Sequence, residues 1–203
     1  MMEALAELDR FLFLLINIGC KNPVFDWVMP LISEWKQFWL PVGLILAFFL
    51  WRGGARTRWI LLALIMVFAL SDSINTYVLK PFFARPRPFI TLSDIFVYKG
   101  GNWGPSEMIE AHRTMSFPST HAVNVTGAAT LLIYFFRRWW PLPAVSVVLV
   151  CFSRVYLGVH YPADVLAGVP AGICCAGLIL AVQAWLVRLF PGRFQWLTEE
   201  ART

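Results

Sequence analysis

Ser153-Arg154-Val155-Tyr156-Leu157-Gly158-Val159-His160-Tyr161-Pro162-Ala163-Asp164 is a polar island between two apolar runs, one beginning at Leu142 and the other extending from Val165 to about Val187. Apolar runs of this kind read as membrane helices, so the island marks where the chain leaves the bilayer and turns back into it. His160 and Asp164 are four apart, and Pro162 suits the first turn of the second helix, which puts both side chains on one face of its start. A carboxylate there can hold the proton of one ring nitrogen and leave the other free to attack. A nucleophilic histidine needs that pairing.

The composition agrees with a membrane reading. Of the 203 residues 59% are hydrophobic and 14% charged, with ten Trp and seventeen Phe, too apolar for a soluble domain of this length. Lys plus Arg outnumber Asp plus Glu by 17 to 12, a formal charge of +5. These cations are scattered among apolar runs, which fits membrane topology and an anionic substrate and argues against nucleic acid. Cys151, Cys174 and Cys175 fall inside apolar segments and Cys20 stands alone, so the cysteines read as packing residues. The first ten residues carry Glu3, Glu7 and Asp9 against Arg10, unlike the basic start of a secretory signal, and the first apolar segments are expected to stay in the mature protein.

Working outward, residues 4 to 19 and Val24 to Ile32 are each shorter than the roughly 20 residues a spanning helix needs. They predict a helical hairpin in or dipping into the interface, or else one broken span. Trp39 to Trp51 is a short apolar helix that starts nearer Glu34 if Lys36 snorkels. Trp59 to Leu79 is a clear span whose second half holds Ser71, Asp72, Ser73, Asn75 and Thr76, groups expected to face the bundle interior. Asp72 reads as a tie between helices. Residues 89 to 116 form a polar and aromatic connection with a short helix around Ser106 to Ala111. Ser119 then caps a helix running to about Phe136.

The fold class is therefore all-α, a polytopic membrane helical bundle of about five to six membrane helices with an N-terminal interfacial helical hairpin. One domain covers 1–203, with interfacial helices over 1–35, a helical core over 36–190 and a cytoplasmic tail over 191–203. If the span ending at Lys80 carries the chain from one side to the other, Lys80, the Pro118 to His121 start and the His160 segment all emerge together. The opposite side receives Arg52, Arg56, Arg58, Arg137 and Arg138 without an acid. By the positive-inside rule that side is cytoplasmic, which places the three polar motifs on the extracytoplasmic, periplasmic face of the inner membrane.

Alone, each motif is ordinary: a lysine at a helix end is commonly an interfacial anchor, and a histidine at a helix start a structural hydrogen-bonding group. Together, three cations and two histidines at one membrane face call for an anion. Lys80 with Arg87-Pro88, Pro118-Ser119-Thr120-His121, and Ser153-Arg154 with His160 and Asp164 resemble, in order and spacing, the signature of the type 2 phosphatidic acid phosphatase superfamily, the lipid phosphate phosphatases. One position departs: the family usually has glycine where this chain has Thr120.

The resemblance implies a phosphatase in which His160 attacks phosphorus to form a phosphohistidine, His121 protonates the leaving oxygen and later activates water, and Asp164 orients His160. Lys80, Arg87 and Arg154 would neutralise the phosphoryl oxygens, with the Ser119 hydroxyl and the backbone near Ser119 and Thr120 donating hydrogen bonds. The residues agree, since phosphoryl transfer asks a protein mainly for positioning and charge neutralisation, and arginine forks and helix N-termini suit phosphate. No metal or other cofactor is called for, because Asp164 and Asp72 are the nearby carboxylates and a metal would compete with three cations. Arg85 reads as an interface charge, with assistance to the phosphate as the alternative, and Glu107, Glu110, His112 and Arg113 as a solvated loop or a headgroup reader.

The implied substrate is a lipid phosphate or diphosphate, first undecaprenyl diphosphate, which such an enzyme converts to the monophosphate. Alternatives are phosphatidylglycerophosphate, phosphatidic acid and the 1-phosphate of lipid A. A different class, an anionic-lipid binding or transport protein, would keep its affinity on His160→Ala and release no phosphate. Oligomeric state is not encoded in any motif.

Overall fold

The computed structural model describes residues 2–34, 39–106 and 115–194. Expectations placed on Lys36, Glu107, Glu110, His112, Arg113, the helix beyond Ser106 and the tail beyond Phe194 lie outside the described residues.

Two rods set the frame. Helix α4 (Ala55–Ile74) continues through a π-helical turn, Asn75–Leu79, into α5 (Lys80–Phe83), and α9 runs from Pro162 to Leu189. At 29 and 28 residues both are long and apolar enough to cross a bilayer. Between them lies α7 (Thr120–Phe135), whose small residues let backbones meet: a Cβ on Gly172 of α9 would land on the Val123 carbonyl oxygen. Ala63, Val67, Leu131, Cys175, Ala176 and Ile179 form the buried cluster joining the three. Helix α8 (Pro141–Tyr156) completes this core, and α3 (Trp39–Arg52) lies exposed along nearly its whole length. Among the described residues, then, two helices cross by length and composition alone, or three if the bent N-terminal pair counts as one, while α3 and α8 are shorter apolar helices of the bundle.

That N-terminal pair is α1 (Met2–Leu14, continued by a π-turn to Gly19) and α2 (Pro23–Ser33), bent by 115° at the break between them. Cys20 closes the first helix and Asn22 starts the second, its side chain accepting from Phe25 N at 2.9 Å just before Pro23. Asp9, Phe13 and Asn17, spaced by four, make one buried face of the first arm. The second buries Met29, Pro30 and Ser33.

Two features depart from the sequence reading. The polar groups of α4 do not all face inward: Ser71 and Asn75 are buried, whereas Asp72, Ser73 and Thr76 are exposed, so Asp72 ties no helices together. Ser71 and Asn75, four apart, share the buried face, while Asp72, Ser73 and Thr76, three and four apart, lie on another. Second, the long connection holds α6 (Pro88–Thr91) and a β-hairpin, β1 (Phe96–Lys99) against β2 (Asn102–Pro105). Gly100 and Gly101 both take positive φ in its two-residue turn.

The hairpin is built into the core rather than lying over it. Ile95 and Val97 are buried, Asn17 bonds both Phe96 N and Phe96 O, and Tyr98 N donates to Leu157 O at 3.1 Å. Gly158 makes this possible, with φ +75° and a Cβ position that would fall on Phe96 O. The polar island between α8 and α9 is thus held in place from the side by the hairpin.

Candidate functional site

The four local structures that carry the motifs end at the same place. Ala84, in the left-handed region at φ 45°, closes the α4–α5 rod and turns the chain so that Arg85 and Arg87 follow. Residues 85–86 then run beside 115–116, with Ser116 N donating to Arg85 O at 2.7 Å. This brings Ser116, just ahead of α7, under the start of α9.

His160 is 1% exposed and Asp164 fully buried. The Nε2 of His160 lies 3.4 Å from Arg87 Nη1, and its Nδ1 lies 3.5 Å from Asp164 Oδ2 and 3.4 Å from Ser116 Oγ. A guanidinium can only donate, so the tautomer that satisfies these contacts leaves Nε2 unprotonated and puts the proton on Nδ1, toward the carboxylate and the serine oxygen. Burial, and then the charges of Arg87, Arg154 and Lys80, hold the His160 imidazole well below its ordinary value, so it is neutral at physiological pH. Arg87 is fixed by a second bond, Nη1 to Val159 O at 3.0 Å.

Asp164 is held from every side. Its Oδ2 accepts from Tyr161 N at 2.8 Å and from the Ser116 hydroxyl, and its Oδ1 accepts from Arg85 Nη1 at 2.9 Å. Arg85 is therefore no interface charge. It stacks on Tyr161 with 4.1 Å between guanidinium and ring centroid, and its Nη2 reaches Asp9 Oδ2 at 2.6 Å.

Lys80 at the rod's end, Arg154 in the last turn of α8 and His121 in the first turn of α7 complete the group. Each is close enough to Arg87 to feel its charge, and His121 also feels Arg154, His160 and Lys80. Arg154 reaches across to α2 and donates from Nη1 to Ser33 Oγ. Ser119 occupies the N-cap position of α7 without a side-chain capping bond, and its backbone N–H goes to Asp164 O at 3.0 Å. That N–H is spent within the protein, which leaves the Ser119 hydroxyl as this residue's free donor. Thr120 turns its hydroxyl away to accept from Asn75 Nδ2 at 2.7 Å, so the side chain that replaces the usual glycine is pinned to the π-turn.

Three buried polar atoms in this group have no protein partner: Arg87 Nε, Arg154 Nε and Ser119 Oγ. Buried donors without acceptors are costly, at about 1–3 kcal/mol each, and native proteins keep few of them. Arg87 touches the His160 ring, Arg154 acts on it by charge and Ser119 is bonded to the Asp164 backbone, so these unspent atoms belong to residues gathered about His160 and suit an acceptor-rich anion.

Sequence reasoning missed Asp9, Ser116 and Ser33 and misjudged Arg85. Asp9 had one signal, the four-residue spacing with Phe13 and Asn17 that makes a buried face. Ser116 and Ser33 had none, being single serines beside apolar residues.

A membrane-embedded helical bundle with a buried, carboxylate-held histidine among three cations defines a class of phosphoryl-handling membrane enzymes. The chain belongs to the PAP2 superfamily, whose model matches residues 57–188, and by that membership it is a multi-pass membrane lipid phosphatase. It is 30% identical over 97% of its length to a lipid A 4'-phosphatase of Porphyromonas gingivalis, covering 79% of that protein. It is 35% identical over 77% of its length to an undecaprenyl-diphosphatase of Sulfolobus acidocaldarius, covering 69% of it. Among solved structures, LpxE of Aquifex aeolicus superimposes with a TM-score of 0.59 at 28% identity, over 86% of this chain and 95% of that one. A PAP2-type phosphatidylglycerolphosphate phosphatase of Bacillus subtilis has the same fold, with a TM-score of 0.66 at 23% identity over 90% and 88%.

Proposed function

We propose that this protein hydrolyses the terminal phosphate of a lipid diphosphate or lipid phosphate at the extracytoplasmic face of the inner membrane, through a phosphohistidine on His160, with undecaprenyl diphosphate as first substrate. The observation carrying this reading is the His160 ring: Nδ1 is held by Asp164 and Ser116, and Nε2 is unprotonated beside Arg87. His160 Nε2 attacks phosphorus while the bond from phosphorus to the lipid-side oxygen breaks, and His121 gives that oxygen its proton. His121 then takes a proton from water, whose oxygen attacks phosphorus, and the P–N bond electrons return to Nε2. Lys80, Arg87 and Arg154 meet the charge on the non-bridging oxygens, and Ser119 Oγ donates to one of them. In this reading Thr120 contributes through its backbone.

The outward face rests on the basic loops at the other end, Arg52, Arg56, Arg58, Arg137 and Arg138. A lipid A phosphate is the second reading, supported by the length over which the chain matches the P. gingivalis lipid A 4'-phosphatase. The purified protein in detergent, with excess chelator, is expected to release inorganic phosphate from undecaprenyl diphosphate faster than from lipid A phosphates, phosphatidylglycerophosphate or phosphatidic acid. A strict magnesium requirement contradicts the mechanism. Preference for lipid A phosphate transfers the assignment to the second reading.

A further inference from the structure

The Asp9 carboxylate lies outside every motif of the family and sits on the first helix, yet one of its oxygens is spent on the His160 segment and the other on the arginine that holds Asp164. Oδ2 takes Arg85 Nη2 at 2.6 Å, and Oδ1 accepts from Ala163 N at 2.8 Å, one of the donors that the first turn of α9 leaves unpaired. Arg85 spans the two acids, one arm on Asp9 and one on Asp164 Oδ1 at 2.9 Å, with its face on Tyr161. The chain of contacts therefore runs Asp9, Arg85, Asp164, His160. Asp9 is 8% exposed and Asp164 is fully buried.

We propose that Asp9 is a positioning residue for the reaction, acting through Arg85 and the α9 N-terminus to fix Asp164 and so the tautomer and aim of His160; this rests on the phosphohistidine reading above. Arginine can grip one carboxylate with both arms. Without Asp9 its second arm is free to turn onto Asp164, drawing that carboxylate off Tyr161 N and the imidazole proton. Asp9 prevents this by occupying that arm, and it anchors the residue before Asp164 at the same time. The N-terminal helix is on this account part of the catalytic apparatus rather than an accessory to the membrane core.

The test measures kcat and KM for phosphate release by Asp9→Asn, Asp9→Glu and Arg85→Lys in detergent, each beside its thermal melting curve. Lys21→Gln serves as control, since Lys21, in the break of the same N-terminal hairpin, pairs with Asp26 of α2 without touching the chain of contacts to His160. Asp9→Asn is expected to lower kcat roughly 100-fold with KM little changed, the scale of a misplaced reacting group. Asp9→Glu should recover part of that loss, and the pair Asp9→Asn with Arg85→Lys should be no slower than the slower single variant. Lys21→Gln should lower the melting temperature and leave kcat alone. Wild-type kcat in Asp9→Asn, or an equal kcat loss in Lys21→Gln, overturns the proposal. If Asp9→Asn does not fold, Asp9→Glu and Arg85→Lys decide it, and wild-type kcat in both overturns it. His160→Ala separates the two levels: its inactivity beside a fully active Asp9→Asn refutes only this inference, whereas an active His160→Ala refutes the phosphohistidine reading itself.

Discussion

The two sides of His160 are built differently. Behind the Nδ1 edge, Asp164, Ser116, Arg85 and Asp9 bond one another and the backbone, with both oxygens of each carboxylate in use. On the other side Arg87 meets the Nε2 edge, and Arg87 Nε, Arg154 Nε and Ser119 Oγ are buried without a protein partner. One side is finished by the protein and can only hold, while the other is left to be completed by something that brings acceptors. Holding a neutral imidazole beside cations takes a dense polar scaffold, and receiving a phosphoryl group takes donors that the protein has not already spent.

If that contrast is right, the largest loss comes from the ring that joins the two sides. His160→Ala is expected to cut steady-state phosphate release by about four orders of magnitude or more, since in the proposed mechanism nucleophile and proton shuttle act as a unit. Residual turnover within tenfold of wild type would erase the distinction between the sides.

A smaller effect belongs to the Nε2 side alone. Ser119→Ala removes a donor that bonds nothing in the protein, so kcat should fall about 100-fold while the melting temperature holds or rises, because an orphaned buried hydroxyl is removed. A fall in stability without a fall in kcat would show that Ser119 belongs with the scaffold instead.

The smallest effect is on stability against pH. The folded His160 is held below the ordinary histidine value of 6.5 by its burial first and then by Arg87, Arg154 and Lys80, so unfolding takes up a proton as pH falls below that value. Stability is therefore complete above about pH 6.5 and declines below it, with a limiting slope of about 1.4 kcal/mol per pH unit from this group. Melting curves in detergent should show the decline, and His160→Gln should flatten part of it. A decline unchanged by that substitution would remove His160 from the scaffold's pH response.

The Nε2 side was largely legible in the sequence, whereas on the Nδ1 side only Asp164 was. Lys80, Arg87, Ser119, His121, Arg154, His160 and Asp164 sit at helix ends, where short-range spacing marks a polar residue against apolar runs. Asp9, Arg85 and Ser116 meet only because the rod turns at Ala84 and α1 folds back onto α9, and no local spacing carries that information. The membrane bundle followed from apolar runs, but burial within it did not: the alternation of Ser71 and Asn75 inward with Asp72, Ser73 and Thr76 outward is set by helix phase against α7. The hairpin was signalled by Gly100-Gly101 between Phe96-Val97-Tyr98 and Trp103, a turn signal that passes easily for loop in a mostly helical chain.

The most direct measurement is to trap the covalent intermediate. In the proposed mechanism His121→Ala slows the water step, and a lipid diphosphate offers a leaving group that departs with little help from a proton. Turnover of that variant quenched in base, where phosphohistidine survives, followed by peptide mass spectrometry, should place a phosphoryl group on His160. Phosphate found on another residue, or none in a variant that still binds and slowly turns over the substrate, would contradict the account.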